Sequence, residues 1–199
     1  MMRMRIIAGL GKGRKLFSPP DITRPTSDRA REGLFSTLIS KFGTLSGIKF
    51  LDLFAGSGAV GIEALSRGVS LVEAVESNPE SAKVCLQNFE LISNLEGMGD
   101  FQLHTNTVFE FLNHNVSKKY EIIFLDPPYS LANSEIEKIL KKIISLKILS
   151  HNGVIAIERN GKTQSFNWPP GLSEIKVRSY GAGSIHYGVL TEPEELKNG

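Results

Sequence analysis

Four times in succession this chain follows a short apolar run of strand length with a longer amphipathic pattern of helical period, and it closes the series on a fifth apolar run. The pairs are 49–54 with 58–67, 71–75 with 79–91, 101–104 with 108–112, and 121–125 with 134–146; the fifth run is 153–158. Apolar strands separated by helices bury both faces only in a parallel sheet with helices on either side. The tail breaks the rhythm. Segments 175–180 and 185–190 flank a Gly-Ala-Gly-Ser turn at 181–184 with no helix between them, which predicts an antiparallel hairpin closing the sheet. The expected class is α/β with a mostly parallel sheet.

Upstream of the series lies a different kind of segment. Residues 5–9 and 13–16 read as a small hairpin about a Gly/Lys turn, ended by Ser18-Pro19-Pro20. Pro25-Thr26-Ser27-Asp28 signals a helix start, and Ala30, Leu34, Phe35, Leu38 and Phe42 continue at helical spacing until Gly43. The expected organisation is a basic extension over 1–43, a catalytic domain over 44–191 and a frayed tail over 192–199. The extension is where the charge lies: residues 1–31 hold eight arginines and lysines against two aspartates, in a chain whose net charge is only +2. A basic arm on a near-neutral body suits a polyanionic partner. The plainer alternative is a solvated basic terminus with no partner.

Other classes are bounded quickly. At 199 residues the chain suits one domain plus an extension. No apolar run reaches the ~18 residues that span a bilayer, and no apolar signal core follows Arg3 and Arg5. The single cysteine, Cys85, excludes an internal disulfide framework and reads as a packing residue. His104, His114, His151 and His186 lack metal-ligand spacing, so no metal is expected. A cytoplasmic monomer is the natural expectation.

Two loops at strand ends carry the chemistry. In Asp52-Leu53-Phe54-Ala55-Gly56-Ser57-Gly58-Ala59-Val60-Gly61, the glycines let backbone approach a ligand closely and match G-x-G-x-x-G. Glu76 ends the next strand 20 residues after Gly56, where a carboxylate can accept from both hydroxyls of a ribose. Nicotinamide enzymes and S-adenosylmethionine-dependent methyltransferases share this arrangement. Asp52 favours the second, because its carboxylate would hold a methionine ammonium and repel a pyrophosphate. The other loop is Asp126-Pro127-Pro128-Tyr129, directly after the buried run Ile122-Ile123-Phe124-Leu125. Two prolines cannot continue a strand. The chain therefore stops at the sheet's ligand-binding edge and leaves a carboxylate, free carbonyls and an aromatic ring for a flat, amino-bearing substrate. The plainer alternative makes Asp126 a cap on the turn.

These two loops resemble the paired signatures of amino-group methyltransferases. Three further segments narrow the resemblance: 5–9 with 13–16, Arg24-Pro25-Thr26-Ser27-Asp28-Arg29-Ala30-Arg31-Glu32, and Gly61-Ile62-Glu63-Ala64-Leu65-Ser66-Arg67-Gly68. Together they resemble the RsmD family, which methylates a guanine N2 in small-subunit ribosomal RNA. The resemblance implies a Rossmann-like class I S-adenosylmethionine methyltransferase fold with seven strands. It implies cofactor contacts at Asp52, Phe54, Ala55, Gly56, Ser57, Gly58, Glu76 and Ser77, with Asn106 and Thr107 where the family reads the adenine. Asp126, Pro127 and Tyr129 would hold the target base. Arg14, Lys15, Arg24, Arg29 and Arg31 would meet RNA phosphates, or pair with neighbouring carboxylates as ordinary helix contacts. The partner would be small-subunit ribosomal RNA or the assembled subunit. Asp126 suits guanine, which offers two adjacent donors to an acceptor-only carboxylate. A DNA adenine or cytosine amino-methyltransferase and a nicotinamide-dependent oxidoreductase are the competing readings.

Overall fold

In a computed structural model, which describes residues 4–19, 27–114, 117–160 and 166–191, the alternating runs condense into one seven-stranded sheet. The elements are α1 (Asp28–Phe42), β1 (Lys49–Asp52), α2 (Ala59–Ser66), β2 (Leu71–Val75), α3 (Pro79–Glu90), β3 (Asp100–His104), α4 (Val108–Asn113), β4 (Tyr120–Leu125), α5 (Asn133–Leu146), β5 (Leu149–Asn160), β6 (Leu172–Tyr180) and β7 (Gly183–Leu190). The strand order is β3-β2-β1-β4-β5-β7-β6. Strands β1 to β5 pair in parallel, while β7 runs antiparallel to β5 and β6.

Alternation along each central strand explains why both faces are covered. On β4, Ile122 and Phe124 join the layer of Leu34, Phe35, Leu38 and Ile62; Ile123 and Leu125 join that of Ile136, Ile139, Leu140 and Ile143. The four α5 residues recur at i, i+3, i+4 and i+7, one face of a helix. Among the described residues, no helix is long and apolar enough to cross a membrane.

The last strands are longer than their apolar content suggests. β5 begins at Leu149 rather than 153, because its pairing with β4 shifts register between Tyr120 and Ile122 and absorbs the polar Ser150-His151-Asn152. β6 begins at Leu172 rather than 175. It is an edge strand with mostly exposed side chains, so an apolar pattern does not mark its start.

The arm folds back on the sheet's helices. Arg5 and Lys15 form an antiparallel bridge. The buried Glu63 of α2 accepts the Ile7 and Ala8 amides at 2.7 and 3.0 Å, and the Ser66 hydroxyl donates to the Ala8 carbonyl at 2.6 Å. Met4, Ile6 and Leu16 thereby share a core layer with Phe50 and Val72. Helix α1 starts at Ser27, whose hydroxyl accepts from the Ala30 amide, and stops at Gly43 with φ 73°.

Candidate functional site

β1 is flanked by β2 on one side and β4 on the other, so successive connections leave it in opposite directions. That reversal opens a crevice at the strands' C-terminal ends. The backbone pins its walls. Leu53 donates to the Phe124 carbonyl, Ala55 to Val75 and Glu76 to His104, each at 3.0 Å. The resulting cleft is about 590 Å³ and is lined by Asp52, Glu76 and Asp126, each at the C-terminal end of a different strand. Such a volume suits a nucleoside-sized ligand.

The glycine loop owes its shape to close contacts. Gly56 and Gly58 adopt φ 54° and 77°, and a Cβ on Gly58 would fall 2.6 Å from the Cys85 Sγ. A Cβ on Gly61 would fall 2.9 Å from a Val72 methyl, so this glycine sets the packing of α2 on β2. Cys85 is buried beneath the loop, and burial pushes its thiol well above the ordinary range. That is the signature of a packing residue, not a nucleophile.

Glu76 accepts the Gly56 amide at 2.8 Å with one oxygen and the Asn78 amide at 2.7 Å with the other. Each oxygen keeps further acceptor capacity for ribose hydroxyls. Asp52 is different. It is 1% exposed, and neither carboxylate oxygen has a hydrogen-bond partner. Burial, then the charges of Asp126 and Glu76, push its pKa up to about 8; the nearby backbone groups of Gly61 and Phe54 oppose the shift without completing a bond of good geometry. A buried, unpartnered carboxylate among like charges calls for a cation. S-adenosylmethionine brings an ammonium and a sulfonium, so these residues fit it. A dinucleotide would bring its pyrophosphate instead, and they do not fit that.

Phe54, Ala55, Ser57, Ser77, Asn106 and Thr107 line the same cleft. Thr107 is also the N-cap of α4, in a capping box: its hydroxyl accepts the Glu110 amide at 3.2 Å and donates to the Glu110 carboxylate at 2.8 Å. That reciprocal bonding holds Glu110 below the usual carboxylate range.

At the other end, Asp126 is half-buried, Pro127 buried and Tyr129 47% exposed. The Leu131 amide closes the turn onto the Pro128 carbonyl at 2.8 Å. Behind it lies Arg159, which donates to the Leu131 carbonyl at 3.2 Å and to Asn133 Oδ1 at 2.9 Å. Its pKa is lowered by burial and partly restored by the charge of Asp126. Glu158, Tyr180, Gly183 and Ser27 complete the wall. A Cβ on Gly33 would fall 2.2 Å from the Tyr180 ring, so α1 and the hairpin meet only because Gly33 has no side chain.

The sequence did not mark these four as site residues. Glu158 carries the same signal as Glu76 and Asp126, an acid closing an apolar run. Ser27 and Gly183 read only as a helix start and a turn, and Tyr180 as the end of a strand, since the fold alone brings them here.

Of the basic residues singled out, Arg14, Lys15 and Arg29 are exposed, with the Arg14 guanidinium donating to the Leu91 carbonyl. Arg24 lies outside the described residues. Arg31 follows the second of the two expectations, pairing with a neighbouring carboxylate rather than meeting a phosphate. It is fully buried, donating to the Arg5 carbonyl at 2.9 Å and to Asp28 at 2.5 Å, so it ties α1 to the arm and presents nothing to solvent.

The sheet order and the cleft at its switch point together define a Rossmann-like class I S-adenosylmethionine methyltransferase fold. A family model described as "Conserved hypothetical protein 95" matches residues 4–189. The chain is 35% identical over 167 residues to Ribosomal RNA small subunit methyltransferase D of Buchnera aphidicola, covering 80% of each protein. It is 33% identical over 158 residues to the protein of that name from Escherichia coli K12, covering 78% of this chain and 71% of the other. A solved structure of a hypothetical protein from Thermus thermophilus matches with a TM-score of 0.77 at 26% identity, over 94% of this chain and 99% of that one. The chain belongs to the RsmD family.

Proposed function

We propose that the protein transfers a methyl group from S-adenosylmethionine to the exocyclic N2 amine of a guanine in small-subunit ribosomal RNA. The observation that carries this reading is the convergence of Asp52, Glu76 and Asp126 on one cleft, with the Asp126-Pro127-Pro128-Tyr129 turn at its mouth. The names of its relatives support the choice of RNA. Asp52 would hold the cofactor's ammonium, Glu76 its ribose, and Phe54 to Gly58 would pack against it; Ser77, Asn106 and Thr107 would face its adenosine. The bound cofactor supplies an electrophilic methyl on its sulfonium.

The chain's residues then act by positioning. A base amine is a poor nucleophile because its lone pair is conjugated into the ring. Asp126 and the Pro127 carbonyl accept the amine hydrogens and turn that lone pair out of conjugation. Guanine offers N1–H and the N2 amine side by side, which matches an acceptor-only carboxylate. Tyr129, half exposed at the mouth, stacks on the base, a contact worth ~1–3 kcal/mol in other base-stacking proteins. A paired base hides its amine, so the target is unpaired or flipped out. Arg14, Lys15 and Arg29 meet phosphates and orient the RNA without reading its sequence. The enzyme works as a monomer in the compartment of ribosome assembly, on free RNA or on the assembled subunit.

The test is nucleoside mass spectrometry of small-subunit ribosomal RNA treated with the enzyme and S-adenosylmethionine. N2-methylguanosine is expected. Asp126→Ala should lose about 100-fold or more of the rate while binding S-adenosylhomocysteine nearly as well as the wild type. A methyl mark on adenine, or full activity in Asp126→Ala, would overturn the assignment.

A further inference from the structure

The basic arm and the cofactor loop are both hydrogen-bonded to a buried side chain, Asn88 of α3. It is 0% exposed. Its Nδ2 donates to the Phe17 carbonyl and to the Ser57 carbonyl, both at 2.9 Å, and its Oδ1 accepts the Phe17 amide at 2.7 Å. Both hydrogens of the amide are thus in use, one on each segment. Phe17 lies two residues from Lys15 and three from Arg14. Ser57 lies between the two positive-φ glycines, and Gly56 beside it donates to Glu76. One unbroken path therefore runs from the arm's backbone through Asn88 to the loop and on to the carboxylate placed for the cofactor ribose.

A buried amide is costly unless fully bonded, and an apolar residue would fill the same space without that cost. Here the amide touches backbone on both sides, so it senses where each segment runs regardless of side chains. We propose that Asn88 is a positioning residue through which RNA on the arm and cofactor in the cleft strengthen each other's binding. Phosphates fixed on Arg14 and Lys15 hold the strand at Phe17. That holds the amide plane, and with it the Ser57 carbonyl and the turn from Gly56 to Gly58. Whatever motion of the loop a bound ligand removes costs conformational entropy, and the ligand that binds first meets that cost for the other. The effect must be reciprocal. The proposal rests on the reading of the arm as an RNA surface.

The test uses the full-length protein and S-adenosylhomocysteine, which binds without turnover. Its Kd is measured by calorimetry without RNA and with saturating unmethylated small-subunit ribosomal RNA made by transcription. In the wild type, RNA should tighten binding about fivefold or more, and S-adenosylhomocysteine should tighten RNA binding by the same factor. In Asn88→Ala the ratio should fall to one. Simple loosening of the loop would weaken both Kd values and leave their ratio intact. Phe17→Pro provides a second variant should Asn88→Ala not fold. It removes the donor to Asn88 while leaving both Nδ2 bonds possible, and should lower the ratio. Phe17→Ala, which deletes only a ring that is 54% exposed, should keep it. A wild-type ratio of one with RNA demonstrably bound, or an unchanged ratio in Asn88→Ala and Phe17→Pro, overturns the coupling and leaves the proposed function standing. Failure of the wild type to bind either that RNA or the assembled small subunit overturns both.

Discussion

The unliganded fold disfavours the charged form of Asp52. Its pKa of about 8 lies well above the ~3.9 of an unfolded aspartate. Between those values the native state binds a proton that the unfolded state has lost, so stability falls as pH rises from about 4 to about 8, and this contribution is flat above. Asp52→Asn removes the titration. The unliganded variant should melt above the wild type, with a gap that widens over that window, as calorimetry at pH 5, 7 and 9 would register. The same variant should bind S-adenosylhomocysteine about 30-fold or more weakly, because one partner of a buried charge pair is gone. The wild type should bind it more tightly as pH rises towards 8, since pairing with the ammonium requires the carboxylate to release its proton. Asn should flatten that dependence. A variant no more stable than the wild type at pH 9 would mean that Asp52 is not strained by its surroundings.

At the scale of elements, the arm is held by helix residues that look ordinary in sequence. Glu63 sits in the middle of α2 with 0% exposure, and it accepts Ile7 and Ala8 from the arm and the Arg67 Nε at 2.7 Å. Glu63→Gln would set an NH2 against groups that are themselves donors. The expected cost is about 1–3 kcal/mol, seen as a lower Tm and as faster amide exchange concentrated in residues 6–16 rather than across the sheet. Uniform exchange would show that Glu63 does not hold the arm. Glu63 and Asn88 also mark where sequence reading stops. The sheet was legible because each strand is an apolar run with a punctuated end, and the carboxylates that line the cleft were legible because they sit at those ends. A polar residue inside a helix gives no such cue, since a solvated face and a buried clamp have the same composition. Glu158 lay within reach, as one more acid at a strand end. Tyr180 and Ser27 did not, because only the meeting of the hairpin with α1 brings them to the cleft.

At the scale of the whole molecule, charge is informative only once burial is known. The chain's net charge of +2 conceals a basic arm, and within that basic stretch the arginines have opposite fates: Arg14 and Arg29 are exposed, whereas Arg31 is interior. Phosphate binding releases counterions, and each contact to single-stranded RNA steepens the dependence of log Kd on log salt by about 0.7. Lys12 and Lys15 are both exposed on the arm's hairpin. The double variant Lys12→Ala/Lys15→Ala should therefore flatten the slope by about 1.4, with affinity for S-adenosylhomocysteine in the absence of RNA unchanged. Arg31→Ala should behave in the opposite way. It leaves the slope as it was, because a buried guanidinium meets no phosphate, but it lowers Tm by releasing the Arg5 carbonyl and Asp28 from their shared donor. Fluorescence anisotropy of a labelled ribosomal RNA fragment over a potassium chloride series separates the two. Equal slopes in the wild type and the double lysine variant would place the RNA on another face of the protein.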